Sequence, residues 1–291
     1  MQKIFVGDIQ GCGDEFQILV TRARETFGDD FELWCVGDMI NRGPKNLLSL
    51  GLMRGLKEEG RGVVVVGNHE IGLLRVWLGL WELEAKNTYP EILDDSSCVE
   101  WIDWVRTQPL AASGEIEGSE FAMVHAAMNP TWTLDDLREK ASRVEARLGS
   151  RDLGDVRVLL DTELETSDAS LIEDRETLNW LTRCRSVDAQ GQWSKAQPKG
   201  SSRPWHEPWS EQHHGFGIVY GHWSRQGLHV APGLRGLDTG CVHHGRGRDG
   251  FLTAWLPGTS DGQDAATRGA DQFAVPDDCF WQIPALRRYY D

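Results

Sequence analysis

The sequence lacks the features that would place it in a membrane or an oxidising compartment. Its six cysteines are scattered at positions 12, 35, 98, 184, 241 and 279, with no Cys-x-x-Cys pair and no small disulfide framework; such thiols read as reduced. A charged residue, Asp8, interrupts the N-terminus before an apolar signal core can form, and no apolar stretch is long enough to span a bilayer. These absences predict a cytoplasmic protein without membrane contact. Positive charge is also scarce, since 30 basic against 45 acidic residues give a formal charge of -15. That balance excludes sequence-independent binding of long nucleic acid, duplexes included, which depends on neutralising phosphates. An anionic substrate would need locally concentrated cations.

What is present is one recurring unit: a short apolar run, usually a glycine, then a polar residue able to bind metal. It reads IFVGD (4–8), LWCVGD (33–38), VVVVGN (63–68), FAMVH (121–125) and IVYGH (218–222). Continuous apolar runs of this kind suit strands buried on both faces. Amphipathic helices follow the first two. In one, Asp14 and Gln17 read as a cap, with Phe16, Leu19, Val20, Ala23 and Phe27 on one face. The other starts near Lys45, carries Leu47, Leu48, Leu50, Leu52 and Leu56, and stops near Gly60. Alternating strands and helices imply a largely parallel sheet, with the polar residues gathered at the carboxyl ends of its strands, where α/β folds place ligands.

The 291 residues suffice for a sizeable core, and we expect a single domain over 1–291 with helical insertions at about 80–108 and 130–190. In the second insertion, Thr133 and Asp136 form a capping-box start, Leu137, Ala141, Val144 and Leu148 share a face, and Gly149 is a stop. Its size makes it the expected lid. Residues 191–215 read as irregular loop, and 257–272 as a mobile excursion before a last short strand, FAV at 273–275.

Asp8, Asp38, Asn68, His125 and His222 each end one apolar run. One Asp after a strand is usually a turn residue, and one His is usually a satisfied core or surface group. Five at successive strand ends point to a metal site. Carboxylate, amide oxygen and imidazole suit Mn²⁺, Fe, Co²⁺ or Zn²⁺ without a thiolate.

The strings GDIQG, GDMINRG (37–43), GNHE (67–70), strand-end His125 and GH (221–222) resemble, in order and partial spacing, the metallophosphoesterase superfamily over residues 5 to about 225. More narrowly, GDMINRGP, GNHEIGLL, VHAAMNPTW, LTRCR, RPW, YGHW and LDTGCV look like the bacterial symmetrical bis(5′-nucleosyl)-tetraphosphatases, which hydrolyse diadenosine tetraphosphate. The resemblance implies a metallophosphoesterase-type α/β fold, a β-sandwich flanked by helices with helical insertions as a lid. It implies two divalent cations, Mn²⁺ or Co²⁺. Asp38 would bridge them, Asp8 would serve the first, and Asn68, His125 and His222 the second. His69 would be the general acid for the leaving phosphate oxygen, and Arg42 would grip phosphate.

Departures from the pattern carry their own expectations. Gln10 stands where the superfamily commonly has histidine, so its amide would hold the first cation weakly. Asn41 replaces the aspartate that the protein-phosphatase branch sets before the arginine; it would orient His69 without a charge, which favours a phosphoanhydride over a phosphoprotein. Arg183, and with less support Arg185, are candidates for the phosphate chain. Among 13 tryptophans, Trp205 and then Trp132 are candidates for base stacking, whereas Trp34, Trp101 and Trp104 read as core. The leading expectation is symmetric cleavage of a dinucleoside polyphosphate. The alternatives are a Ser/Thr-type phosphoprotein phosphatase, removal of nucleoside-tetraphosphate caps from RNA 5′ ends, and a non-catalytic nucleotide sensor.

Overall fold

The computed structural model describes residues 1–258, 273 and 279–289. Strand β1 (Gln2–Val6), helix α1 (Gly13–Phe27), β2 (Phe31–Cys35), α2 (Asn46–Glu58) and β3 (Gly62–Val64) form two successive βαβ units with parallel strands. Then come α3 (Asn68–Trp77), α4 (Pro90–Leu93), α5 (Cys98–Arg106) and an antiparallel hairpin, β4 (Ala111–Ile116) and β5 (Ser119–Val124). Three helices fill the long insertion: α6 (Leu134–Leu148), α7 (Leu153–Leu160) and α8 (Ala169–Arg183). Short strands β6 (Ser186–Val187), β7 (Trp193–Ser194) and β8 (Arg203–Pro204) make a small sheet, followed by α9 (His206–Ser210). The described chain closes with β9 (Phe216–Tyr220), β10 (His229–Ala231), β11 (Leu234–Gly236), β12 (Phe251–Trp255) and β13 (Phe280–Pro284).

The strands assemble into two five-stranded sheets, ordered β13-β12-β1-β2-β3 and β10-β11-β9-β5-β4. Period-2 alternation explains why their runs are apolar throughout. Phe5, Trp34, Phe121, Met123 and Val219 point between the sheets, while Ile4, Val6, Leu33, Cys35, Val124 and Ile218 join the helix-covered layers. Phe121 meets the rings of Phe5 and Trp34 edge-on at 5.1 and 5.2 Å, locking one sheet to the other. Such pairs add about 0.5–1.5 kcal/mol each beyond their burial.

The sandwich and the helical insertion match expectation; other details do not. The expected largely parallel sheet is two mixed sheets, because the β4–β5 hairpin starts a second sheet instead of extending the first. Cys12, not Asp14, occupies the N-cap of α1, and no side chain caps it. On α2 the buried face is Asn46, Ser49, Leu50, Met53 and Leu56, so the leucine row is only partly inside. The stretch 80–108 is helical only in α4 and α5, and 191–215 contains β7, β8 and α9. In α6 the Thr133/Asp136 capping box and the face of Leu137, Ala141, Val144 and Leu148 form as expected. Phe273 lies in a turn and the last described strand is β13; the excursion to 272 lies, from residue 259 on, outside the described residues, as do 274 and 275.

Candidate metal centre

Six mutually parallel strands end at one edge of the sandwich. From the first sheet, β1, β2 and β3 lead to Asp8, Asp38 and Asn68; from the second, β5, β9 and β11 lead to His125, His222 and Asp238. Two glycines leave room for the carboxylates. A Cβ on Gly67 would stand 2.2 Å from Asp38 Oδ1, and one on Gly221 would stand 2.0 Å from Asp8 Oδ1. The residue before each ligand in GNH and GH is therefore small so that a neighbouring strand's carboxylate can approach. Seven non-glycine residues among those described have positive φ, and five belong to this edge: Gln10, Asp38, Asn41, Arg42 and His222. Such strain persists where surrounding structure over-determines it, as at ligand sites.

The second cation's set is built around lone pairs. His125 Nδ1 donates to the Val36 carbonyl at 2.9 Å, which leaves Nε2 unprotonated, 3.2 Å from Asn68 Oδ1 and 3.4 Å from Asp38 Oδ1. His222 Nε2 likewise donates to the Arg183 carbonyl at 3.1 Å, freeing Nδ1. Ligand atoms of Asp38, His125 and His222 lie within 4.8 Å of one another. These acceptors repel unless a cation stands among them or an imidazole takes a second proton. Burial holds both histidines below their usual pKa, which disfavours that proton. Imidazoles tied to backbone carbonyls through the other nitrogen are the usual outer arrangement of a metal site. The residues present fit a divalent cation.

The first position is weaker. Asp8 is committed to the His222 N–H, at 3.0 and 3.2 Å from its two oxygens. Gln10 turns its amide nitrogen toward Asp8 Oδ2 and Asp38 Oδ2, each at 3.5 Å, the outer limit of a hydrogen bond. To hold a cation it must flip and present Oε1. The anionic charge here is large. Burial, then Asp238 and Asp38, push the Asp8 carboxyl well up, and Glu70 is pushed to about 8 by burial and Asp38. Burial also raises Asp38, but His125 and His69 outweigh it and hold that carboxyl below its usual range. Glu70, which completes GNHE, accepts from the backbone N–H groups of Gly67, Asp38 and Met39 at 2.8, 2.9 and 2.8 Å, bracing the loops that carry two ligands.

His69 begins α3 beside this cluster. Its N–H donates to Asp38 Oδ1 at 2.8 Å, its Nε2 is 3.6 Å from Asp38 Oδ2, and the Tyr89 hydroxyl fixes its carbonyl at 2.8 Å. Nδ1 is buried without a hydrogen-bond partner. Burial lowers its pKa against the pull of Asp38.

Asn41 does not orient His69 as expected. Its Oδ1 accepts from Arg42 N and Thr88 N at 2.9 and 3.0 Å and its Nδ2 donates to Asn87 at 3.3 Å, because a left-handed φ of 77° curls the side chain onto its own turn. It positions Arg42 instead, whose guanidinium reaches Lys86 O and Asn87 Oδ1 at 3.2 Å each. Arg183 and Arg185 have different surroundings: the Arg183 guanidinium lies over the Trp81 ring at 5.7 Å, whereas that of Arg185 donates to the Lys195 carbonyl at 2.8 Å and to the His222 carbonyl at 3.4 Å, beside the metal centre. Trp205 is 1% exposed and packs edge-on against Tyr220 at 5.0 Å, so its ring is not open to a base. Its backbone N–H donates to the Arg185 carbonyl at 3.1 Å. Trp132 is half-buried near Trp180, and of the expected core tryptophans Trp34 is buried while Trp101 and Trp104 pack at the core's margin.

Sequence reasoning missed Asp238. It is 3% exposed, its Oδ1 accepts from Gly240 N at 3.0 Å and its Oδ2 has no partner. Burial pushes its carboxyl to about 6. The string LDTG carried the signal, but the preceding strand is short and broken by Arg235 and Gly236.

Comparison with known proteins gives one consistent picture. A family described as calcineurin-like phosphoesterase matches residues 1–246. A protein of Dechloromonas aromatica named bis(5′-nucleosyl)-tetraphosphatase, symmetrical, is 37% identical over 84% of this chain and 90% of its own length. Its namesake in Pseudomonas entomophila is 34% identical over 84% and 88%. Among solved structures, one described as a diadenosine tetraphosphatase superposes with a TM-score of 0.58 at 22% identity, over 97% of this chain and 93% of that one. A Saccharomyces cerevisiae protein serine/threonine phosphatase gives 0.50 at 14% identity, over 99% and 81%. At these identities the structures speak to the fold.

Proposed function

The chain belongs to the calcineurin-like phosphoesterases, and from that premise we propose that it is a metal-dependent hydrolase cleaving diadenosine tetraphosphate and related dinucleoside polyphosphates symmetrically into two nucleoside diphosphates. One observation carries the reading: His125 Nε2, Asn68 Oδ1 and Asp38 Oδ1 converge at 3.2 and 3.4 Å directly beside His69, with the other nitrogen of His125 tied to the Val36 carbonyl. The relatives, 33–37% identical, carry that activity in their names.

When bound, two divalent cations neutralise phosphate charge and acidify the attacking water. The donor set of carboxylate, amide and imidazole suits Mn²⁺ or Co²⁺, the two that the family resemblance implies. Asp38 would serve both cations, Asp8 and Gln10 would help to hold one, and Asn68, His125 and His222 would hold the other. Water adds to a central phosphorus and releases a proton to solvent, the bridging P–O bond breaks, and His69, in its imidazolium form, gives its proton to the departing diphosphate oxygen and regains one from solvent. Arg42 and Arg185 flank the centre and bind phosphate oxygens. A tetraphosphate-capped RNA 5′ end presents the same anhydride and falls within reach of the same chemistry. The free, scattered cysteines support a reading of the enzyme as cytoplasmic.

Purified protein with Mn²⁺ or Co²⁺ and diadenosine tetraphosphate should yield two ADP on chromatography. AMP plus ATP would overturn the symmetric assignment, and bound metal without turnover would leave a sensor.

The weak first position yields a second expectation. Gln10→His replaces an amide that must flip with an imidazole that binds directly, so the Mn²⁺ concentration for half-maximal activity should fall about tenfold, the scale on which supporting groups tune metal affinity. An unchanged metal titration would falsify that role for Gln10.

A further inference from the structure

A dinucleoside tetraphosphate extends well beyond the bond being cut, and its outer half needs cations that an acidic chain supplies only in places. Arg42 and Arg185 are two of them. Beside the segments that leave the metal centre, Ser224, Arg225, His243, Arg246 and Arg248 line a depression of about 600 Å³ with no acidic residue among the described lining. Three guanidinium groups share this space in a protein of net charge -15.

Its two walls are the segments that leave the metal centre. Ser224 and Arg225 follow His222 directly, and the run HHGRGRD (243–249) follows Asp238 through the short turn Cys241–His243. Arg248 fastens them together by donating through Nη1 to the Ser224 carbonyl. Arg248 lies against the loop that carries Asp238: its Nη2 stands 2.6 Å from where a Cβ on Gly240 would sit, and Asp238 holds the Gly240 N–H at 3.0 Å. Arg225 is exposed and enters no ion pair among the described residues. A fork of this kind matches phosphate oxygens in pairs.

We propose that Arg225, Arg246 and Arg248 form a second polyphosphate subsite, which holds the diphosphate group of the nucleotide half beyond the scissile bond. This rests on the hydrolase reading above and adds the means of registration. With one half of the polyphosphate held by Arg42 and Arg185 and the other by this arginine cluster, the central anhydride is centred over the metals, and the cut falls symmetrically.

The test uses the double variant Arg225→Ala/Arg246→Ala, since both side chains are exposed and Arg248 is left to hold the walls. KM for diadenosine tetraphosphate and the Kd for ADP, the latter by calorimetry on the Mn²⁺-loaded protein, should each rise about tenfold or more, as expected for loss of charged hydrogen bonds. The slope of KM against salt should also flatten. Arg225→Lys/Arg246→Lys should recover part of the loss, which a misfolded variant would not. ADP affinity and KM within twofold of the parent would overturn the subsite. If the parent fails to cleave the tetraphosphate, the hydrolase reading falls, and ADP calorimetry on parent and variant still decides the subsite.

Discussion

His69→Ala should lower kcat on diadenosine tetraphosphate about 10²–10⁴-fold, the usual worth of a positioned general acid, with KM nearly unchanged. The side chain is 11% exposed, the backbone N–H of His69 is pinned to Asp38 and Nε2 lies 3.6 Å from the same carboxylate, so the imidazole is held beside the cluster. Removing it should spare cation binding, and the bound Mn²⁺ measured after desalting should match the parent. The loss should also track the leaving group: a departing diphosphate is already acidic, so an alkyl ester should suffer more than the anhydride. Equal losses on both, or loss of bound metal, would show that His69 is a structural or metal-holding residue.

The gathering of Asp8, Asp38, Asn68, His125 and His222 was legible in the sequence because each ends a short apolar run, and those runs are apolar on alternate positions for two different reasons. One set faces the other sheet and the other faces helices, so the strands announce themselves even though their sheet does not. Periodicity within a βαβ unit fixes neighbours; it says nothing of the β4–β5 hairpin that starts a second sheet. Asp238 went unseen because β11 is three residues long and contains Arg235. Trp205 could not be separated from a stacking platform, since an indole beside a catalytic loop has the same composition whether it faces solvent or Tyr220. The behaviour of Asn41 turns on a backbone angle, φ 77°, that residue identity does not specify. The different surroundings of Arg183 and Arg185 depend on where α8 ends, at Arg183, because the chain beyond it carries the Arg185 side chain past Cys184 and toward the His222 carbonyl.

Asp38→Asn should have the larger consequence, a fall in kcat of about 10³-fold or more, since metal Lewis acidity contributes several kcal/mol and each 1.36 kcal/mol is tenfold. Asp38 stands between the two groups of expected ligands: Oδ1 is 3.4 Å from His125 Nε2, and Oδ2 is 3.5 Å from Gln10 Nε2. An amide in its place removes the shared negative charge, and it sets an N–H₂ group against one set of lone pairs. The structural loss should be small in the metal-free protein, because Asn can still accept the His69 N–H through Oδ1 and the Glu70 brace uses only the Asp38 backbone. The distinguishing measurement is therefore thermal unfolding with and without Mn²⁺. A cation at a hundred times its Kd stabilises the native state by about 2.7 kcal/mol, so the parent's melting temperature should rise on Mn²⁺ addition while that of Asp38→Asn stays near its metal-free value. A variant that still gains the full Mn²⁺ shift would show that Asp38 does not bridge, and that each cation is held by its own set alone.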